Sequence, residues 1–242
     1  MTGHDHAGAY RDARFGNRRV DYRLNPILDA GLVEAEGEAG GARLAALAAR
    51  AVSGGATILQ YRDKTGSTRR MVDNARAILW AIAASGVPLV VNDRVDVALA
   101  AGAHGVHLGA DDMEIETARR LLGPSAIIGM TVKREAEARA AGQLPVDYAC
   151  IGGVFETLSK HNPDPPVGLD GFRQMRAMIR AARPELPVGA IAGITAARVP
   201  PLVLAGADGI AAISAVFGAA DVAGAARALR GAVDDALKGE AA

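Results

Sequence analysis

Ala101-Gly102-Ala103-His104-Gly105-Val106 recurs further along the chain as Ala205-Gly206-Ala207-Asp208-Gly209-Ile210. Each copy reads as one joint: a helix end, a glycine turn and the start of a β-strand, with glycine free to take the backbone geometry of a tight αβ connection. Working outward from these joints, short β-like runs alternate with alanine-rich helical runs from Val20 onward, and Gly or Pro stands between them. The candidate strands are Val20 to Leu28, Thr57 to Arg62, Pro88 to Asn92, Gly105 to Leu108, Ala126 to Thr131, Tyr148 to Gly152, Val188 to Ala192 and Gly209 to Ser214. Eight strands, each followed by a plausible helix, satisfy a single α/β (β/α)8 TIM barrel more naturally than an open doubly wound sheet.

The helices are the clearer signal. Ala42 to Val52, Arg69 to Ala84, Lys133 to Ala141, Gly171 to Ala182 and Val222 to Leu237 carry apolar residues at three- and four-residue intervals. Arg94 to Ala101 and Glu116 to Leu122 fill two further helical places. Pro200 and Pro201 fall inside the seventh, which predicts either a helix start or a kink there. Asn162-Pro163-Asp164-Pro165-Pro166-Val167-Gly168 is too proline-rich for a helix and reads as a long loop after strand six. Met1 to Arg19 lack hydrophobic periodicity, so the expected organisation is a mobile leader over 1–19 and one barrel domain over 20–242.

Composition narrows the function classes. Half of the 242 residues are apolar but only 4% are aromatic, as expected for helix-covered parallel sheet built from Ala, Val, Ile and Leu. The 27 basic and 27 acidic residues cancel, which argues against a broad nucleic-acid footprint and leaves any anion site local. Cys150 is the one cysteine, so no intrachain disulfide can form and a reducing cytoplasm fits. No apolar run approaches the ~20 residues that cross a bilayer.

In a β/α barrel the functional face lies at the C-terminal ends of the strands. Strand two ends in Gln60-Tyr61-Arg62-Asp63-Lys64, where period-two alternation puts Gln60, Arg62 and Lys64 on one face and Tyr61 and Asp63 on the other. That face suits an oxyanion, through a planar guanidinium fork and a mobile ammonium. Strand three ends in Asn92 and Asp93, strand four in Asp111 and Asp112, strand five in Thr131, and strand six runs into Thr157, Ser159 and Lys160. Asp93 and Asp112 are hard oxygen donors of the kind Mg²⁺ takes beside a phosphate, and each also stands where it could cap the following helix. Arg62, Lys64, Lys160, Asn92 and Thr131 form a donor set able to neutralise a departing diphosphate. At strands seven and eight, Gly193, Ile213 and Ser214 occupy the usual barrel position for a phosphate monoester. No nucleophile elbow occurs, and His107, inside strand four, reads as structural rather than as a general base.

Taken together these residues resemble the thiamine-phosphate synthase family. Gln60, Arg62 and Lys64 match its Q-x-R-x-K strand end, Asn92, Asp93 and Arg94 its N-D-R motif, and Gly105 to Gly109 with Asp112 and Met113 its G-V-H-L-G-x-x-D-M segment. Gly129 and Thr131 match its G-x-S, with threonine supplying the hydroxyl, and Thr157, Ser159 and Lys160 match its T-x-[TS]-K. The resemblance implies a transferase, dependent on Mg²⁺, that joins 4-amino-2-methyl-5-hydroxymethylpyrimidine diphosphate to a thiazole phosphate by a dissociative step and releases diphosphate.

It further implies Gln60 on the pyrimidine, and Arg62, Lys64, Asn92, Thr131 and Lys160 on the diphosphate. Asp93 and Asp112 would bind the metal, and Thr157, Ser159, Gly193 and Ser214 the thiazole phosphate. Small molecules are the expected partners, with neither nucleic acid nor membrane, and a homo-oligomer is compatible with the reading. The chain departs from the family at Gly153, where proline is usual, at Glu156, and at Ala192, where glycine is usual. A related thiazole tautomerase and a catalytically silent paralogue that binds thiamine intermediates are the alternatives. Retention of Arg62, Lys64, Asp93, Asp112 and Lys160 favours the synthase.

Overall fold

The computed structural model describes residues 20–32, 39–156 and 165–240. The expected leader over 1–19, Thr157, Ser159, Lys160 and most of the proline-rich loop lie outside them. Eight parallel strands close a barrel in chain order: β1 Leu24–Asp29, β2 Leu59–Arg62, β3 Leu89–Asn92, β4 Gly105–Leu108, β5 Ile127–Val132, β6 Tyr148–Ile151, β7 Val188–Ala190 and β8 Gly209–Ala212. The helices are α1 Ala39–Ser53, α2 Thr68–Ile82, α3 Val95–Ala101, α4 Ile115–Leu122, α5 Glu135–Ala141, α6 Gly168–Ala182, α7 Val199–Leu204, the short α8 Ser214–Phe217, and α9 Val222–Glu240. The fold is thus the (β/α)8 barrel.

Most strand residues are buried on both faces, so the strands read as short apolar runs between punctuation rather than as alternating patterns. Parity still sorts them. Leu59, Tyr61, Val91, Val106 and Ile128 join the core between sheet and helices, whereas Ile58, Val90, Ile127, Tyr148 and Cys150 fill the barrel interior. Inside, two tyrosines take the space of several aliphatic residues: the rings of Tyr22 and Tyr148 lie 4.6 Å apart, tilted by 31°. Glycine opposite each makes the room, because a Cβ at Gly129 would overlap the Tyr148 ring and one at Gly189 the Tyr22 ring.

Where boundaries differ from the sequence reading, local geometry gives the reason. β1 begins at Leu24 rather than Val20, since Arg23 turns back to bond Asp21 and ladder pairing to β8 starts at Leu24. β7 ends at Ala190 because Ala192 and Gly193 both take positive φ, 90° and 63°. β8 ends at Ala212, and Ser214 opens α8. α7 starts at Val199 with Pro200 and Pro201 next, inside the first turn where a missing N–H costs nothing, so no kink is needed.

At the N-terminal end of the barrel, a single joint is built four times. The N–H groups of Leu24, Leu89, Ile128 and Val188 donate to the side chains of Thr57 (3.0 Å), His104 (3.0 Å), Asp147 (2.7 Å) and Asp208 (2.8 Å). In return, the N–H of each of those four residues donates to the carbonyl of its partner, at 2.7 to 2.9 Å. Each odd strand is therefore buttoned to the next even one before the ladder begins. The echo at His104 and Asp208 is two of these four joints.

Candidate functional site

The opposite end of the barrel holds a cavity of about 150 Å³. Its walls include Gln60, Asn92, His107, Thr131, Lys133, Cys150, Gly193, Ile213 and Ser214, with Tyr22, Ile27 and Ala211 also lining it. Register explains the convergence. Gln60 lies level with Ile27 and Val90, Asn92 with His107, His107 with Gly129, and Thr131 with Cys150, so inward-facing residues of consecutive strands stack at one height. Tyr61 and Asp63 face the helices instead: Tyr61 donates to Asp63 (3.1 Å) and accepts from Asn74 (3.1 Å), and Asp63 also accepts from the N–H groups of Thr65 and Gly66.

Arg62, Lys64, Asp93 and Asp112 do not line this cavity; they belong to the strand ends above it. Arg62 forms an ion pair with Asp29 of β1, and its buried Nε–H has no acceptor among the described residues. Lys64 forms an ion pair with Asp93. Asp112 accepts from the Gly109 N–H at 2.7 Å, and burial, followed by the neighbouring Asp93 carboxyl, pushes its carboxyl above the usual carboxylate range. Helix capping does not explain either aspartate. The N-cap positions are Arg94 and Glu114, and neither makes a side-chain cap bond. Asp93 itself sits at φ 64°, a left-handed conformation that aspartate tolerates better than most residues and that tends to occur at working sites.

Among the described residues no three His, Cys, Asp or Glu side chains group around one point. Two adjacent carboxylates do, and they suit Mg²⁺, which keeps several waters and takes its remaining oxygens from substrate phosphate.

The strand-seven and strand-eight side is shaped by backbone. The consecutive positive φ angles at Ala192 and Gly193 fold the chain over the cavity wall, and Gly153, at φ 68°, takes a conformation closed to the proline usual there. Arg198 donates to the Gly193 carbonyl (2.7 Å) and stacks over Phe155 (4.6 Å to the ring centroid), tying the loops after β6 and β7 together. A sequence model described as thiamine monophosphate synthase matches residues 31–216. The chain belongs to that family.

A thiamine-phosphate synthase of Agrobacterium fabrum is 60% identical over 91% of this chain and 97% of its own length, and one of Chloroflexus aurantiacus is 44% identical over 87% and 92%. The solved thiamine phosphate pyrophosphorylase of Pyrococcus furiosus superposes with a TM-score of 0.76 at 35% identity, covering 90% of this chain and 98% of that one. Against this family background, the structure adds residues that the motifs did not single out. Lys133, just after β5, reaches the cavity with no ion pair among the described residues, and Asp29 positions Arg62. His107 bonds Thr131 through Nε2 (2.8 Å) and Tyr148 through Nδ1 (3.0 Å). Lys133 had a sequence signal, as a cation one step beyond a strand end, and His107 lay within a family motif and was read as structural; Asp29 had none.

Proposed function

We propose that this chain is a thiamine-phosphate synthase that joins an aminopyrimidine methyl diphosphate to the ring nitrogen of a thiazole phosphate. The observation that carries the reading is a cavity walled by Gln60, Asn92, Thr131, Gly193 and Ser214 at the same barrel end as Arg62, Lys64, Asp93 and Asp112. A cavity of this volume holds one six-membered ring, which suits the pyrimidine with its diphosphate directed outward.

Gln60, buried at the wall, offers both a donor and an acceptor to the aminopyrimidine edge. Arg62, with its uncommitted Nε–H, Lys64, Asn92, Thr131 and Lys160 hold the diphosphate. The bond between the methylene carbon and the diphosphate oxygen breaks with its electron pair leaving on oxygen. Donation from the ring amino group steadies the methylene cation, and the thiazole nitrogen lone pair then forms the new C–N bond. No protein nucleophile is required; the chain's task is to gather donors around the departing oxygen and to exclude water. Asp93 and Asp112 would hold Mg²⁺, which when bound supplies further neutralisation of the diphosphate. Gly193, Ile213 and Ser214, with Thr157 and Ser159, receive the thiazole phosphate. Free phosphorylated substrates and a lone buried cysteine fit a cytoplasmic enzyme, and among the described residues no helix is long and apolar enough to cross a membrane.

Purified protein supplied with Mg²⁺ and both substrates will release diphosphate and form thiamine phosphate, followed by chromatography. Folded protein that forms no product overturns the proposal.

A further inference from the structure

The Tyr148–His107–Thr131 chain crosses three neighbouring strands, β6, β4 and β5, and ends at the cavity wall. Tyr148 is fully buried, and the acceptor within reach of its hydroxyl among the described residues is His107 Nδ1, at 3.0 Å. The other ring nitrogen, Nε2, lies 2.8 Å from Thr131 Oγ1. Two neutral tautomers are compatible with these distances, and they have opposite consequences at the cavity.

With the proton on Nδ1, the ring donates to Tyr148 and accepts the Thr131 hydroxyl proton. The buried tyrosine proton then has no acceptor among the described residues, which is the costly error for a buried donor, and Thr131 turns only lone pairs toward the cavity. With the proton on Nε2, Tyr148 donates to Nδ1, the ring donates to Thr131 Oγ1, and the threonine O–H is left to donate into the cavity. The tyrosine hydroxyl proton and both ring nitrogens of His107 are then satisfied.

We infer that Tyr148 and His107 are positioning residues that fix Thr131 as a hydrogen-bond donor toward the cavity, for the departing anion. The inference rests on the reading of Thr131 as a contact to the diphosphate. His107 takes no proton from substrate, since both its nitrogens are already engaged within the barrel wall. The tyrosine ring also stacks on the imidazole, with centroids 5.5 Å apart and planes 22° from parallel, which restrains the ring from flipping.

The direct test is the nitrogen-15 spectrum of the histidine side chains in the intact protein, with His107→Gln providing the assignment. The expected signal for His107 is the neutral Nε2–H tautomer; an Nδ1–H tautomer or an imidazolium overturns the inference without reference to activity. The kinetic test compares Thr131→Val, Tyr148→Phe, His107→Leu and His107→Gln. Loss of one donor to developing negative charge predicts a kcat drop of about 100-fold for Thr131→Val. Tyr148→Phe and His107→Leu should each lose about tenfold or more in kcat with KM for the thiazole unchanged. His107→Gln, whose amide N–H can replace Nε2–H, should recover most of that loss. Tyr148→Phe placed on Thr131→Val should add nothing further. If Thr131→Val is neutral, the diphosphate reading of Thr131 and the inference built on it both fall. If Thr131→Val is impaired while Tyr148→Phe and His107→Leu are active, the inference alone falls.

Discussion

Gln60 and Tyr61 are adjacent in the chain and lie on opposite sides of the barrel wall, one on the cavity and one under α2. That division was legible in the sequence because side-chain parity in a strand is fixed by backbone geometry, whatever the surroundings. The ion pairs of Arg62 and Lys64 were not, since Asp29 and Asp93 reach them from strands distant in sequence. Two predictions belong to single residues. Asp93→Asn keeps the size of the side chain but removes a charged oxygen, so half-saturation by Mg²⁺ should rise about tenfold or more, read by titrating turnover against metal; an unchanged titration counts against Asp93 as a ligand. Lys133→Ala removes a cation at the cavity without disturbing a buried contact. KM for an anionic substrate should rise several-fold, corresponding to about 1 kcal/mol, while thermal stability stays within about 0.5 kcal/mol.

Among the elements, the helices were read more reliably than the strand ends. α2 shows why: Met71, Ala75, Ile78, Leu79 and Ile82 bury one stripe, and Ser67 caps its start by accepting from the Arg70 N–H. Strand ends at β7 and β8 depend instead on positive φ at Ala192 and on a turn at Ile213, which an alanine and an isoleucine do not advertise. The joints at the strand starts lend themselves to measurement. Asp208 accepts from the Val188 N–H and pairs with Arg180 at 2.6 Å, so Asp208→Ala strands a backbone donor and a largely buried guanidinium at once. A destabilisation of about 2–3 kcal/mol is expected in denaturant unfolding, with Asp208→Asn, which keeps the acceptor, losing about half as much. Equal stability of the two variants would show that the carboxylate charge, not the N–H bond, carries the joint.

For the molecule as a whole, alternation of strand and helix, the count of eight and the family motifs specified a barrel with its chemistry at the C-terminal rim, because they depend on local periodicity and on chain order. The four joints at the far end were half visible, since His104 and Asp208 sit in a repeated phrase whereas Thr57 and Asp147 do the same work in unlike surroundings. The sequence by itself determined which residues face inward and which strand ends carry charge. Only the tertiary structure decided that Asp93 and Asp112 come together rather than cap helices, and that Arg62 and Lys64 are held by carboxylates. It alone brought Tyr148, His107 and Thr131 into one hydrogen-bonded line. The physical reason is closure: stagger between strands sets which inward residues share a height, and that relation exists only once the last strand pairs with the first.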